Sequence, residues 1–132
     1  MRFMIMVKAT AISEAGEMPA DMEQLKDQMD AYHQELAQAG VLLDGAGLRP
    51  SRQGWRIHYA ADGQRSIIDG PFAETKELLA GYTLIQVRSR EEAMEWARRF
   101  PAPFGRGNEC EIEVRPLYEQ EDFEPGGALS PV

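Results

Sequence analysis

Between Asp69 and Glu77 the chain reads Asp-Gly-Pro-Phe-Ala-Glu-Thr-Lys-Glu, and no regular element can pass through it. Pro71 fixes its φ at about −65°, lacks an amide donor and drives Gly70 out of the right-handed helical region. The apolar pair Ile67-Ile68 therefore ends a strand, and the backbone turns sharply after it. The same turn concentrates functional groups. Asp69 stands at the strand exit, where its carboxylate either braces the amides of the turn or faces a cleft. Phe72 is placed as a hydrophobic anchor, and Glu74, Lys76 and Glu77 follow directly.

The rest of the chain has to be arranged around that break. Arg2 to Lys8 carries apolar residues on both faces, Phe3, Ile5 and Val7 against Met4 and Met6, which predicts a strand covered on both sides. Ala9 to Pro19 reads as a loop. Asp21 with Gln24 resembles a capping box, and Met22, Leu25, Met29, Tyr32 and Leu36 recur at spacings of three and four. Together they predict a helix to Ala39 closed by Gly40. Val41 to Leu43 opens a second strand that Asp44, Gly45 and Gly47 bend or bulge. Trp55, Ile57 and Tyr59 alternate with Arg56 and His58, and Asp62-Gly63 turns this strand into Arg65 to Asp69 as a hairpin. Gly81 to Val87 is a further strand. Ser89 with Glu92 caps a helix whose buried stripe is Ala93, Trp96, Ala97 and Phe100, and Ile112 and Val114 face inward from a last strand.

With the hairpin set aside, the order is strand, helix, strand, strand, helix, strand. That predicts an α+β chain with a ferredoxin-like sheet, two helices on one face and an inserted β-hairpin. The second sheet face needs a cover, and two such sheets packed face to face make a symmetric homodimer the expectation. A chain of 132 residues fits one domain over 1–118, followed by an acidic tail over 119–132 in which Gly126, Gly127 and Pro131 oppose regular structure. With 14 basic and 22 acidic residues for a net −8, nucleic acid and anionic membranes are disfavoured partners. No apolar run approaches the ~20 residues that span a bilayer. The lone Cys110 forms no internal disulfide, and the opening apolar run is too short for a signal peptide, so a cytoplasmic location is expected.

The stretch Asp69 to Glu77, followed by Gly81-Tyr82, resembles the signature of the DGPF group of the YciI-like (YCII-related) proteins. Gly40-Val41-Leu42-Leu43 with Leu48-Arg49-Pro50, Glu92-Ala93 with Trp96-Ala97, and Glu111 to Pro116 are similar to other segments of that group. The resemblance covers Met1 to Leu117 and implies a ferredoxin-like, dimeric α+β barrel. It further implies small-molecule chemistry of lyase or isomerase type through a His and Asp pair lining a pocket. As a second class of function, it implies a non-catalytic regulatory role beside an extracytoplasmic-function sigma factor.

Asp69 and His33 are the candidate proton-transfer residues. Asp69 matches the motif, whereas the family's histidine lies nearer the start of the first helix than His33 does. His33 projects from the edge of the helix stripe, toward a pocket or as a boundary residue with one satisfied nitrogen. Arg49 is placed to grip an acidic substrate, with an ion pair to a neighbouring Glu as its competing fate, as for Arg115. Phe72, Glu74, Lys76 and Tyr82 are candidate pocket residues that can equally serve packing or a solvated face. His58 falls on the polar side of its strand. Cys110 sits between Glu109 and Glu111, which raises a thiol's pKa and argues against a nucleophile. Neither a metal constellation nor a cofactor motif is present in the sequence.

Overall fold

Alternation along the first strand sets the layers of the molecule. In a computed structural model that describes residues 1–129, β1 (Arg2–Lys8) buries Phe3, Ile5 and Val7 on one face and leaves Met4 and Met6 half-buried on the other. Successive strand side chains point to opposite faces, so two layers are built from one heptapeptide's alternation. The remaining elements are α1 (Ala11–Ala15), α2 (Met22–Gln38), β2 (Leu42–Gly47), β3 (Trp55–Tyr59), β4 (Arg65–Asp69), β5 (Leu79–Gln86), α3 (Arg90–Arg98) and β6 (Ile112–Pro116). The main sheet has the order β2-β5-β1-β6 with every neighbour antiparallel, the ferredoxin-like arrangement expected from the element order. Strands β3 and β4 form a separate two-stranded sheet, in register from Trp55 opposite Asp69 to Tyr59 opposite Arg65.

The core lies between the sheet and the helices α2 and α3. Phe3, Ile5 and Ile85 from the sheet meet Tyr32 and Leu36 of α2 and Ala93 and Trp96 of α3, with Ile112 and Val114 of β6 packed at the margin. Each large apolar side chain so buried stabilises the fold by roughly 1.5–3 kcal/mol. Tyr32 crosses the helix pair: its hydroxyl donates to the Trp96 carbonyl at 2.6 Å, and its ring meets those of Trp96 and Phe100 edge-on. Burial pushes the Tyr32 phenol up to about 12, with nearby Arg99 pulling down and Glu35 pushing up. Helix α2 ends where expected, Gly40 taking φ +75° just beyond it, and α3 begins with the Ser89 hydroxyl accepting from the Glu92 amide at 3.1 Å.

Several local expectations are corrected. Asp21 precedes α2 without capping it through its side chain. The segment Ala9 to Pro19 is no simple loop, because Thr10 and Ser13 form a reciprocal capping box that starts the short helix α1. The acidic tail carries one short 3₁₀ turn, Gln120–Phe123, whose own capping box joins Glu119 and Asp122, while Gly126 and Gly127 lie outside regular structure. Glu119 is gripped by the Arg2 guanidinium at 3.0 Å, and the bond to Arg2 holds its carboxyl below the ordinary range. Pro131, the other residue expected to oppose regular structure there, lies outside the described residues.

The hairpin stands apart from the core. Every residue of β3 and β4 is exposed, including Trp55 at 65% and Ile67 at 71%. Among the described residues no helix is long and apolar enough to cross a membrane.

Candidate functional site

A cleft of about 870 Å³ opens between α2 and the β2-β5 edge of the sheet, on the helix side. Missing side chains create it. Gly45 pairs with Thr83 and Gly47 with Gly81, so three helix-facing positions on neighbouring strands carry no side chain. A Cβ on Gly47 would have only the Ala80 carbonyl oxygen within reach, at 4.0 Å, which marks open space above that strand. Met22, Leu25 and Met29 of α2 form one apolar wall, and Phe100, Pro103 and Phe104 close the end beside them. Arg49, Arg52 and Gln53 rise from the loop after β2 at the mouth.

His33 reaches this cleft from α2 and is fixed at both ring nitrogens. Nδ1 lies 2.9 Å from the Met29 carbonyl oxygen and Nε2 lies 2.8 Å from the Thr83 hydroxyl. A carbonyl only accepts, so Nδ1 carries a hydrogen and the Thr83 hydroxyl donates to the Nε2 lone pair of the neutral ring. When the ring is protonated, Nε2–H donates to the same hydroxyl oxygen instead. Both protonation states therefore keep both hydrogen bonds, so a proton reaches the ring from the cleft only by way of the Thr83 hydroxyl. Thr83 itself is 1% exposed, which leaves its hydroxyl no water to fall back on.

Arg49 meets only the Gln53 side-chain oxygen, at 3.3 Å, and no carboxylate of a described residue lies within ion-pairing distance. The expected ion pair with a neighbouring Glu does not form at Arg49, while Arg115 reaches Glu113 at 3.9 Å on the surface. A guanidinium at the mouth of a mostly apolar cleft is a ready partner for a carboxylate. Of the other cations lining the cleft, Lys26 is held by Asp30 at 2.9 Å and Arg52 is spent on the Glu14 carbonyl at 3.0 Å.

The Asp-Gly-Pro-Phe motif lies beside this cleft and braces its rim. Gly70 donates to the Gly54 carbonyl at 3.0 Å, and the Phe72 amide donates to the Ser51 hydroxyl at 3.1 Å. Ser51 in turn gives both its amide and its hydroxyl to the Glu14 carboxylate of α1. A Cβ on Gly70 would lie 1.8 Å from the Ser51 carbonyl oxygen, so no other residue type fits there. The Gly70-Pro71 peptide is cis. Phe72 supports the Arg56 guanidinium at 3.8 Å from its ring centre and, with Arg49, lines a smaller second cleft of about 410 Å³.

Of the residues singled out in the sequence, His33, Arg49 and Tyr82 border the main cleft, and Phe72 borders the second. Tyr82 contributes by position only, since it alternates with Gly81 and Thr83 and its ring takes the far face, where its hydroxyl donates to Asp44 at 2.8 Å. Asp69, Glu74 and Lys76 are exposed and border neither cleft. His33 and Asp69 are thus not brought together, and the Asp69 carboxylate accepts no hydrogen bond from a described residue. Gly45, Gly47, Gly81 and Thr83 were not singled out as site residues. Their signal was present as glycines at every second position of one strand and a threonine in register on the next. Among the described residues no three His, Cys, Asp or Glu side chains gather as a metal site.

The description of the YCII-related domain matches residues 1–118, the whole of the sheet and both long helices. The chain belongs to the YCII-related family. The family span ends just before the turn that carries Glu119, so the Arg2–Glu119 clasp joins the matched region to the segment beyond it. This YCII-related protein is also 33% identical over 107 residues to an uncharacterised protein of Rhizobium meliloti, covering 81% of this chain and 83% of that one.

Proposed function

We propose that this YCII-related protein binds a small acidic molecule in the cleft beside α2 and exchanges a proton with it. Arg49 receives the acid group, and His33 gives and takes the proton through the Thr83 hydroxyl, which also borders the cleft, in chemistry of lyase or isomerase type. One observation carries this: a histidine bonded at both nitrogens and an arginine without a carboxylate partner border the same largely apolar cleft. Asp69, exposed on the hairpin, receives no catalytic task within one chain. A cytoplasmic site of action fits the single cysteine.

The protein works as a homodimer in this proposal. Support comes from the half-buried Met4, Met6 and Leu84 on the far sheet face and from the exposed apolar hairpin, since a two-stranded hairpin alone is marginal in water. The sigma-factor alternative, binding through the acidic surface or tail, is less favoured, since Glu119 at the start of the tail is engaged by Arg2.

The test is a thermal-shift screen of metabolite carboxylates against the wild type, Arg49→Ala and His33→Gln. A true ligand raises the wild-type Tm, loses that shift in Arg49→Ala, and keeps it in His33→Gln while losing proton exchange with D2O followed by NMR. A hit whose shift survives Arg49→Ala puts the site elsewhere. Sedimentation equilibrium decides the dimer, and a monomer at micromolar concentration ends that part.

A further inference from the structure

The α2 wall of the cleft and the loop after β2 differ in chemistry, and the difference specifies a class of ligand. Along and beside the α2 wall Met22, Leu25, Met29, Phe100 and Phe104 offer no charge to a ligand, and methionines adapt to variable apolar shapes. At the mouth Arg49 is the cation that neither a carboxylate nor a backbone carbonyl of a described residue engages. Glu17 also borders the opening with no ion pair to a described residue, while Asp30 is neutralised by Lys26, so a second negative charge on a ligand meets Glu17 there. The floor is open at Gly47, while His33 lies over Gly45 and the backbone of Ala46 and Gly47 crowds Gly81, so an apolar body would lie over Gly47 and against the α2 side chains.

We infer that the cleft takes an amphipathic monocarboxylate, an apolar body of medium-chain length carrying one acid group, with the body against the α2 methionines and the carboxylate on Arg49. This rests on the proposed ligand-binding role of the cleft and adds the substrate class. It also explains the size of the space, because a compact polar acid held by Arg49 alone would not use the apolar wall.

The experiment is calorimetric titration of the full chain with a series from acetate to octanoate and with octanol as the uncharged control. Affinity should rise about threefold to fourfold per methylene, as expected for apolar burial. Octanoate should bind about tenfold more tightly than octanol, and Arg49→Gln should abolish that advantage while leaving octanol unchanged. Gly47→Leu, which fills the open floor, should weaken octanoate and octanol alike, and a melting curve without ligand checks that this variant folds. Affinity independent of chain length, or an octanoate preference that survives Arg49→Gln, overturns the inference. If the series is flat while a compact acid from the metabolite screen still depends on Arg49, the cleft's general role stands and the amphipathic class falls. If no acid depends on Arg49, both fall.

Discussion

Two alanine substitutions two residues apart on the same face of β2 should move stability in opposite directions. At Gly45 an added Cβ would sit 3.1 Å from His33 Nε2 and 3.5 Å from its Cδ2, inside the comfortable 3.5–4.0 Å carbon contact range. His33 has to yield by a few tenths of an ångström, yet it is tied at Nδ1 to Met29 and at Nε2 to Thr83. Yielding loosens the Thr83 bond, and a buried hydroxyl without its partner costs about 1–3 kcal/mol. Against this stands the gain of about 0.4–1 kcal/mol from restricting the unfolded chain, since neither glycine uses a positive φ. Gly45→Ala should therefore lose about 1 kcal/mol net. At Gly47 the nearest atom is 4.0 Å away, so only the unfolded-state gain remains and Gly47→Ala should stabilise by about 0.5 kcal/mol. Urea unfolding followed by circular dichroism resolves this difference, provided the slopes against denaturant match. Equal stability of the two variants would refute the contrast drawn between the His33–Thr83 constraint at Gly45 and the open floor at Gly47.

Gly70→Ala drives a Cβ into the Ser51 carbonyl and should cost about 3 kcal/mol or more, whereas Asp69→Asn, beside it but exposed, should change unfolding by less than about 0.5 kcal/mol. A large loss in Asp69→Asn would restore a bracing role for that carboxylate. The Tyr32 phenol keeps its proton in the fold up to about 12, while the unfolded chain releases it near 10.0, so its stabilisation is complete below pH 10.0 and is lost as pH rises toward 12. Wild-type stability should fall by roughly 2–3 kcal/mol across that window, and Tyr32→Phe should remove that part of the slope. Glu119 titrates below its ordinary 4.5 because of Arg2, so its contribution is present above pH 4.5 and is lost as pH falls through the lower folded value. Glu119→Gln should flatten the acid limb of a Tm against pH profile, and an unchanged limb would show the clasp to be open in solution.

The sheet and its two long helices were legible because they rest on periodicity. Phe3, Ile5 and Val7 alternate, Leu25, Tyr32 and Leu36 fall on one helical stripe, and both patterns survive folding because burial enforces them. The short helix α1 escaped because Thr10 and Ser13 define it through one reciprocal cap, with no residue of the helix itself fully buried. For the site, His33 and Arg49 were visible as residues, but their meeting place was not. A cleft made by glycines is an absence of side chains, and Gly45 and Gly47 read equally well as a bulge, which β2 does have between Leu42 and Asp44. Asp69 drew attention through its motif, yet the physical task of that motif falls on Gly70 and the Phe72 amide.

The knot at Ser51 also bears on the order of assembly. It joins Glu14, Ser51 and Phe72, contacts spanning 37 and 21 residues, and it holds the loop that presents Arg49. Neither of these closures follows from forming a single helix or hairpin, so their entropy is met only after the sheet has brought α1 and the end of β4 together. The rim of the cleft is therefore the last part of the fold to lock and the first to open, and its amides at Ser51 and Phe72 should exchange with solvent well ahead of those in β1. Opening of the rim would displace Arg49 from the mouth while His33 and Thr83 keep their places on α2 and β5.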